Sequence, residues 1–533
     1  MSRAAHFQTL KSHQPYDLAV IGGGATGLGV ALDAALRGFS VVLLESHDFA
    51  GGTSSRATKL LHGGVRYLAQ GNVALVREAL AERSTVLHIA PHLAQPLPFV
   101  MPSYAWWQSP FYGVGLKLYD LMAGRAGLGR TEFLDVGQTQ AALPGLRTTG
   151  LKGGVKYWDG QFDDARLALA LARTAREAGA TVLNYAEVTA LRMGQRGEGA
   201  AAPSEIDVLD RVEGASTTVQ ARCVVNATGV WVDALRTKAM ADSHGAPTSH
   251  MVSPSQGVHV VVDQTFMPGN HALLMPKTRD GRVLFAVPWM GKLILGTTDT
   301  PRKDLPREPD PFAEELEFIL SEAAHVLSRP VAPEDIRSVW VGLRPLVAPP
   351  KAEEGGTKTI SREHTIVVDP NGLLTVTGGK WTTYRAMAED VLNKCFGKGL
   401  LPRRSGADTK HHRLLGAPVE GALPQPIHGA PGIHLYGTAR KAVEACPGHG
   451  QGLGMGLTEA MVRYAVREEN AYTVEDVLAR RWRALFLDAR KAAAMGPAVA
   501  SLMRDEGIAD PRLSEFLALC GHYLPARSIP ETV

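Results

Sequence analysis

The fold is decided by the stretch from residue 16 to residue 45, which reads YDLAVIGGGATGLGVALDAALRGFSVVLLE. Its pattern predicts an apolar strand at Asp17–Ile21, a helix over Leu28–Arg37 and a second buried strand at Val41–Leu44. A run of glycines separates the first strand from the helix, and Gly38 ends the helix. Strand, glycine turn, helix and strand in this order are typical of a βαβ unit in a parallel sheet.

The glycines of the turn have the spacing G-x-G-x-x-G, with Gly22, Gly24 and Gly27. The first permits a tight turn, the second lets a pyrophosphate approach the main chain, and the third lets helix and strand pack closely. The start of the helix adds unpaired N–H groups and the positive end of its dipole. Glu45 ends the second strand, where its carboxylate can accept hydrogen bonds from ribose hydroxyls. We therefore predict that this unit binds a dinucleotide.

Length and composition favour a globular protein of two or three domains, since the chain has 533 residues, of which 45% are hydrophobic and 20% charged. The net charge of +3 is too small to indicate a nucleic-acid partner. The four cysteines, Cys223, Cys395, Cys446 and Cys520, have neither C-x-x-C nor metal-ligand spacing. We therefore predict no metal site and a reducing compartment.

The sequence predicts neither a secretory signal nor a membrane-spanning helix. The N-terminal residues before Tyr16 lack an apolar segment. The longest uncharged run, His88–Leu116, contains five prolines, which oppose a helix that closes its backbone bonds within a bilayer.

The same run combines aromatic residues with nearby cations. Trp106, Trp107 and Phe111 precede Lys117 and Arg130, a combination that suits a surface resting on anionic lipid. An ordinary core loop is the alternative interpretation. We therefore predict a peripheral contact with a membrane surface.

From about residue 250 to residue 350 the pattern changes to short alternating strands. Val258–Val262, Val283–Val287 and Leu293–Gly296 predict an antiparallel sheet with one covered face. The segment carries His259 and Arg344. Such a sheet beside a dinucleotide fold can form the roof of a substrate site.

A second stretch repeats the pattern of strand, glycine turn and helix. Leu373–Thr377 predicts a strand that leads into the Gly378-Gly379 turn, and a helix begins at about Thr383. We predict that this strand returns to the first sheet, so that its turn lies at the far end of a long dinucleotide. Beyond about residue 407 the pattern predicts a mostly helical C-terminal domain.

Motifs along nearly the whole chain resemble those of the FAD-dependent, quinone-linked glycerol-3-phosphate dehydrogenases. The matching stretches are IGGGATGLGVALDAALRG (21–38), TSSRATKLLHGGVRYL (53–68), FDDARL (162–167), VVNATGVWV (224–232), PWMGKLILGTTDT (288–300), VGLRPL (341–346), GGKWTTYR (378–385) and LTEAMVRYAVREENAYTVEDVLARR (457–481). HGGVRYL together with GLRPL and GGKWTTYR is far more specific than the glycine motif.

The resemblance implies an α/β fold with three parts. We expect a Rossmann-like FAD-binding domain of the glycine-oxidase and D-amino-acid-oxidase type over residues 1–90, 150–250 and 350–400. An antiparallel-sheet substrate-binding or cap domain is expected over residues 91–149 and 251–349, and a helical C-terminal domain over residues 401–533.

The resemblance also implies which residues contact cofactor and substrate. The expected FAD contacts are Gly22, Gly24, Ala25, Thr26, Gly27, Glu45, Thr53, Ser54, Ser55, Lys59, Leu61, His62, Gly229, Gly378, Gly379 and Thr383. The expected substrate contacts are Arg66, Tyr67, His259, Arg344 and Lys380, of which the last three are the candidate catalytic residues.

Elementary chemistry suggests a role for each candidate. A phosphate dianion favours the forked geometry of guanidinium groups, so Arg66 and Arg344 are the expected clamps. His259 is the candidate base because an imidazole titrates near neutral pH, and a hydrogen-bonded core histidine is the alternative. Lys380 could stabilise negative charge that develops on the flavin, or contact the substrate.

The function implied by the resemblance is oxidation of sn-glycerol 3-phosphate to dihydroxyacetone phosphate, with hydride transfer to FAD and electron transfer to a membrane quinone. The expected location is cytoplasmic and peripheral, on the inner face of the cytoplasmic membrane, and a homodimer is compatible with the sequence. Two alternatives are a glycerol-3-phosphate oxidase that uses oxygen and a non-catalytic flavin-binding protein. Oxidase relatives carry an insert near residues 344–362, and the short connection in this chain favours the dehydrogenase.

Overall fold

The structure is a computed structural model that describes residues 3–12, 15–64, 72–194, 202–240, 250–278, 281, 283–347, 364–422 and 424–525. Two large β-sheets and a helical C-terminal region account for most of this part of the chain. The predicted fold class is therefore confirmed.

The strands are β1 (Tyr16–Ile21), β2 (Val41–Leu44), β3 (Leu60–Leu61), β4 (Ala94–Ser103), β5 (Glu132–Leu134), β6 (Gly153–Phe162), β7 (Thr181–Leu183), β8 (Ala186–Arg192), β9 (Ser204–Asp210), β10 (Ser216–Asn226), β11 (Ser255–Asp263), β12 (Ala272–Met275), β13 (Leu284–Trp289), β14 (Lys292–Gly296), β15 (Thr300–Pro301), β16 (Ser338–Arg344), β17 (His364–Val368), β18 (Leu374–Gly378), β19 (Gly452–Gly454) and β20 (Leu457–Thr458).

The α-helices are α1 (Arg3–Ser12), α2 (Ala25–Leu36), α3 (Val73–Ile89), α4 (Gln108–Ala123), α5 (Val136–Ala142), α6 (Asp164–Glu177), α7 (Val232–Ala239), α8 (Ala313–Val326), α9 (Tyr384–Gly397), α10 (Arg440–Glu444), α11 (Glu459–Glu469), α12 (Ala484–Leu487), α13 (Ala489–Asp505) and α14 (Leu513–His522). No helix in the described ranges is both long and apolar enough to cross a bilayer.

The first sheet is built around the predicted βαβ unit. Its strand order is β17-β18-β10-β1-β2-β7, and β10, β1, β2, β7 and β18 run parallel. Strands β1 and β2 are buried almost throughout because helices cover the sheet, as a parallel sheet requires. The prediction that the strand near residue 375 returns to this sheet is confirmed, since β18 pairs with β10 through Val225–Leu374.

The second sheet has the order β15-β11-β14-β13-β12-β4-β6-β3, with β16 paired to β11 and β5 paired to β6. It is antiparallel except where β12 runs parallel to β4. The strands predicted between residues 250 and 350 are confirmed. The sheet also includes β3 and β6, which come from segments that the sequence prediction assigned to the cofactor domain.

Two local features depart from what the residue types alone favour. Residues 57–61 are not helical, since Lys59 has a left-handed φ of 67° and Leu60–Leu61 pairs with β6. Strand β4 forms despite Pro96, Pro98 and Pro102. These prolines lie two and four positions apart, so their missing N–H groups all face the same edge of the strand.

The helical C-terminal region packs against the first sheet through buried ion pairs. Asp48, in the loop after β2, accepts hydrogen bonds from Arg480 and Arg481. Tyr185 donates over 2.7 Å to Asp476, which begins a π-helical turn, Asp476–Arg481. The C-terminal region therefore holds the loop that follows the end of β2.

Candidate functional site

An elongated cavity opens at the carboxyl ends of the parallel strands. Gly22 and Gly24 line it from the turn after β1, and Gly378, Gly379 and Lys380 line it from the turn after β18. Strands β1 and β18 each pair in parallel with β10, which lies between them. Their carboxyl ends therefore meet at one edge of the sheet. The two glycine turns of the sequence therefore line the same cavity.

The first turn requires its glycines for steric reasons. Gly22 has a φ of 114°, and a Cβ there would lie 2.5 Å from the carbonyl oxygen of Ala227. A Cβ at Gly27 would lie 2.0 Å from the carbonyl oxygen of Gly22, so this glycine brings α2 into contact with the turn without lining the cavity. The result is bare main chain where an anionic group can approach.

The end of β2 supplies an oriented carboxylate. Glu45 accepts a hydrogen bond from the backbone N–H of Gly23 over 2.7 Å and from that of His47 over 2.8 Å. These contacts hold the carboxylate at the cavity wall. A carboxylate has about four lone-pair sites, so Glu45 can still accept hydrogen bonds from ribose hydroxyls.

Of the sixteen residues predicted to contact the cofactor, ten line the cavity. They are Gly22, Gly24, Ala25, Thr26, Glu45, Thr53, Ser54, Gly229, Gly378 and Gly379. The other six, Gly27, Ser55, Lys59, Leu61, His62 and Thr383, are not among the residues that line the cavity. Thr383 begins the helix of the second turn, where its hydroxyl donates to the carbonyl of Lys380 over 3.3 Å. The cavity is also lined by residues that the sequence did not single out, including Ser46, Lys238 and Arg307.

Lys59 does not line the cavity, and its ammonium is bound by other groups, so its predicted contact with the cofactor stays a prediction. Its Nζ donates to Asp164 over 2.7 Å and to the carbonyl of Ser55 over 2.8 Å. The rings of Trp340 and Phe486 lie 4.6 and 5.2 Å from the same nitrogen. Burial lowers the pKa of this lysine, although Asp164 opposes the shift.

His259 lies on β11 with its ring fully enclosed. The ring stacks on Trp340 at 3.9 Å between centroids, and its Nε2 lies 2.9 Å from the hydroxyl of Thr58. Burial holds the pKa of His259 well below its usual value, and the positive charges of Lys59 and Arg344 lower it further. The expectation that this imidazole titrates near neutral pH is therefore wrong, because the low-polarity site and the adjacent cations disfavour the charged form.

Arg344 ends β16 in the second sheet. Its guanidinium donates to the carbonyl of Thr298 over 2.8 Å and to that of Gln256 over 3.1 Å, and it contacts Asp299 at 3.2 Å. Its side chain is 21% exposed, so it does not face bulk solvent.

The neighbours of Arg344 connect it to the cofactor cavity. The carbonyl of Leu343 accepts a hydrogen bond from the hydroxyl of Thr53 over 2.6 Å, and Pro345 lines the cavity. Lys380 lines the same cavity from the second turn. The other two predicted substrate contacts, Arg66 and Tyr67, lie outside the described residues.

The comparisons with known proteins agree with this geometry. Residues 17–385 match the family model of FAD-dependent oxidoreductases, and residues 434–511 match that of the C-terminal domain of alpha-glycerophosphate oxidase. The mitochondrial glycerol-3-phosphate dehydrogenase of Rattus norvegicus is 39% identical over 535 residues, which cover 95% of this chain and 72% of that protein. This chain belongs to the FAD-dependent glycerol-3-phosphate dehydrogenase family.

Solved structures support the same assignment within this family. A glycerol-3-phosphate dehydrogenase from Bacillus halodurans, solved in complex with FAD, is similar with a TM-score of 0.75 and 29% identity, over 98% of both chains. Glycine oxidase from Geobacillus kaustophilus, at 22% identity and a TM-score of 0.50, covers 75% of this chain and 99% of its own, and shows the shared fold alone.

The cofactor of the family is FAD, and the cavity residues fit it. A carboxylate for a ribose lies at one end, at Glu45, and bare main chain lies beside it at Gly22 and Gly24. The second glycine turn lies farther along the same cavity. This order of groups matches a long dinucleotide with an adenosine, a pyrophosphate and a flavin.

We expect Gly27→Ala to lower the FAD content of the purified protein, because its Kd for FAD should rise by more than about tenfold, which corresponds to about 1.4 kcal/mol. The new methyl group must displace the turn, because it would lie 2.0 Å from the oxygen of Gly22. The flavin-to-protein absorbance ratio measures the loss, and circular dichroism checks the fold. The matched control is Gly397→Ala at the end of α9, where nothing lies within 4 Å of the new Cβ. A Gly27→Ala protein with full FAD occupancy would contradict the assignment.

Proposed function

We propose that this chain oxidises sn-glycerol 3-phosphate to dihydroxyacetone phosphate and passes the electrons to a membrane quinone. The hydrogen bond from Thr53 to the carbonyl of Leu343 carries the proposal, because it joins the cofactor loop to the strand that ends in Arg344. The names of the relatives support the choice of substrate.

The cations near the cavity suit a phosphorylated substrate. The guanidinium of Arg344 is already fixed by the carbonyls of Gln256 and Thr298, so it loses little conformational freedom when a phosphate binds. Lys380 adds a second positive charge on the cavity wall. Together they favour a ligand with a dianionic group.

The proposed reaction removes a hydride and a proton from a secondary alcohol to give a ketone. Bound FAD supplies the hydride acceptor. His259 is the proposed base for the hydroxyl proton: its ring does not itself line the cavity, but the Nδ1 of its neutral imidazole has no hydrogen-bond partner among the described residues and can accept. The two electrons and two protons that leave the substrate equal those that convert a quinone to a quinol.

We expect anaerobic glycerol 3-phosphate to bleach the flavin band near about 450 nm. Arg344→Ala should raise the KM for glycerol 3-phosphate by about tenfold or more while FAD stays bound, because a charge-assisted phosphate contact is lost. Steady-state kinetics with an artificial electron acceptor measures this change.

The matched control for Arg344 is Arg337→Ala, which removes a guanidinium beside the other end of β16 that is paired with Asp263. Its KM should remain at the wild-type value. An unchanged KM in Arg344→Ala would show that Arg344 does not bind the phosphate. A flavin that no polyol phosphate bleaches would favour the non-catalytic flavin-binding protein.

We expect His259→Gln to slow flavin reduction by about 10²- to 10⁴-fold, the usual contribution of a general base. Because the folded pKa of His259 lies well below about 6.5, the neutral base persists as the pH falls through 6.5 and is lost only in more acidic solution. Wild-type stopped-flow rates should therefore show no acid limb centred near pH 6.5. An acid limb there that disappears in His259→Gln would contradict the depressed pKa.

Oxygen is the second candidate for the electron acceptor. The match of residues 434–511 to the C-terminal domain of an oxidase favours it. The short connection that favours the dehydrogenase lies largely outside the described residues. Peroxide formation under air, with no stimulation by a quinone analogue, would support the oxidase.

We propose that helix α4 rests on the inner face of the cytoplasmic membrane. Apolar side chains of this helix and of the residues before it point to solvent: Trp106 (82% exposed), Trp107, Phe111 (67%), Val114, Leu118 and Leu121 (77%). An exposed patch of this kind is unusual for a surface that meets only water. The core-loop interpretation is thus wrong for these residues, although Tyr119 is buried and donates to Asp159 over 2.9 Å.

A second cavity beside the start of α4 supports a contact with anionic lipid. Trp107 and Tyr112 line it together with Arg147, Lys277 and His325. Aromatic rings next to basic side chains are typical of proteins that lie in the headgroup region of a bilayer.

We expect Phe111→Ser combined with Leu121→Ser to reduce binding to vesicles of neutral and anionic phospholipid by about tenfold or more. Burial of each side chain in lipid contributes about 1.5–3 kcal/mol. Cosedimentation with the vesicles measures the change. The matched control is Val419→Ser, which removes an 81% exposed apolar side chain from the C-terminal region. Equal cosedimentation of both variants would show that helix α4 is not the part of the protein that contacts the membrane.

A further inference from the structure

A segment of the substrate domain reaches across to the FAD cavity. Residues 302–310 follow β15 and lead towards α8, and we call this segment the strap. The indole N–H of Trp231 donates to the carbonyl of Leu305 over 3.1 Å. The guanidinium of Arg307 donates to the hydroxyl of Ser46 over 3.1 Å. The strap is therefore bonded to the loops after β10 and β2, which both belong to the cofactor-binding sheet.

The side chain of Arg307 lines the cavity at the end where Glu45 and Ser46 also line it. Its guanidinium lies 5.2 Å from the ring centre of Trp231, which restricts its position. The main chain is held as well, because Arg56 donates to the carbonyl of Arg307 over 3.2 Å. Arg307 is thus a fixed cation at the adenosine end of the cavity.

The charge of Arg307 lacks a close acidic partner among the described residues. Burial lowers the pKa of its guanidinium, and the positive charges of Arg211 and Arg56 lower it further, although the negative charges of Glu45 and Glu475 oppose the shift, Glu45 more strongly than any other neighbouring charge acts on it. A half-buried cation among other cations is costly unless an anion approaches. The side chain of Lys238, which also lines the cavity, adds to this positive field.

We infer that Arg307 binds the ADP half of FAD and that the strap closes over this half from the substrate domain. The inference depends on the assignment of the cavity to FAD. The ADP half carries the two phosphate charges of the cofactor, and its ribose is the group expected at Glu45. The cation lies on a different segment from the glycine turn, so the ADP half is held between two parts of the chain.

The strap also joins the C-terminal region to the cofactor. Glu308 forms an ion pair with Arg56, and the hydroxyl of Tyr523 donates to Glu308 over 3.3 Å. The strap belongs to the substrate domain and contacts both the cofactor-binding sheet and the C-terminal region. Release of the ADP half therefore requires these contacts of the strap to break. Slow release of FAD from the full-length protein follows from this arrangement.

The test uses full-length, FAD-loaded protein and measures free flavin by its fluorescence after dilution. We expect Arg307→Ala to raise the Kd for FAD about tenfold or more and to speed its release, whereas Arg307→Lys keeps part of the affinity. Higher salt should weaken FAD binding more in the wild type than in Arg307→Ala, since one screened charge contact has been removed. The matched control is Lys303→Ala, which removes an exposed cation from the same strap outside the cavity and should leave the Kd unchanged.

Two outcomes would overturn the inference, and they differ in what else they reject. If Arg307→Ala retains the wild-type Kd and salt dependence while Gly27→Ala loses FAD, the strap does not bind the cofactor and the cavity assignment stands. If neither variant changes FAD binding, the cavity itself is not the FAD site. An equal weakening by Lys303→Ala would show a general effect of net charge and would also overturn the specific role of Arg307.

Discussion

The parallel pairing of β10 with β1 on one side and with β18 on the other is the constraint on which the rest of the structure depends. It brings together two glycine turns that are about 350 residues apart in the chain. Parallel neighbours end at the same edge, so the bare main chain of both turns opens into one cavity. Lys380 lines the same cavity as the first turn because of this pairing. No local feature of the sequence around Lys380 predicts that position.

Buried ion pairs stabilise the wall behind that cavity. Asp48 is enclosed with Arg480 and Arg481, and Lys59 is enclosed with Asp164 beside Arg483. Such pairs add little net stability compared with apolar packing, but loss of one partner costs about 3–5 kcal/mol because it leaves an unpaired buried charge. The C-terminal region therefore contributes to the cofactor site by fixing the loops that follow β2.

The sequence predicted the elements that have strong local patterns. The βαβ unit, the strands between residues 258 and 296 and strand β18 were identified because residue alternation and glycine spacing specify them. The orientation of Lys59 and the depressed pKa of His259 could not be predicted, because both depend on residues that are distant in sequence, such as Trp340. Arg307 was missed for the same reason, since nothing local distinguishes it from an arginine on an ordinary surface loop.

The contacts of the strap have a consequence for biosynthesis. Tyr523 lies near the end of the described chain, yet its hydroxyl contacts Glu308 beside the cavity. A growing polypeptide that is still attached to the ribosome cannot form this contact until residue 523 has been translated and has left the exit tunnel. The strap can therefore adopt its full set of contacts around the prosthetic group only after the helix that precedes Tyr523 has left the exit tunnel.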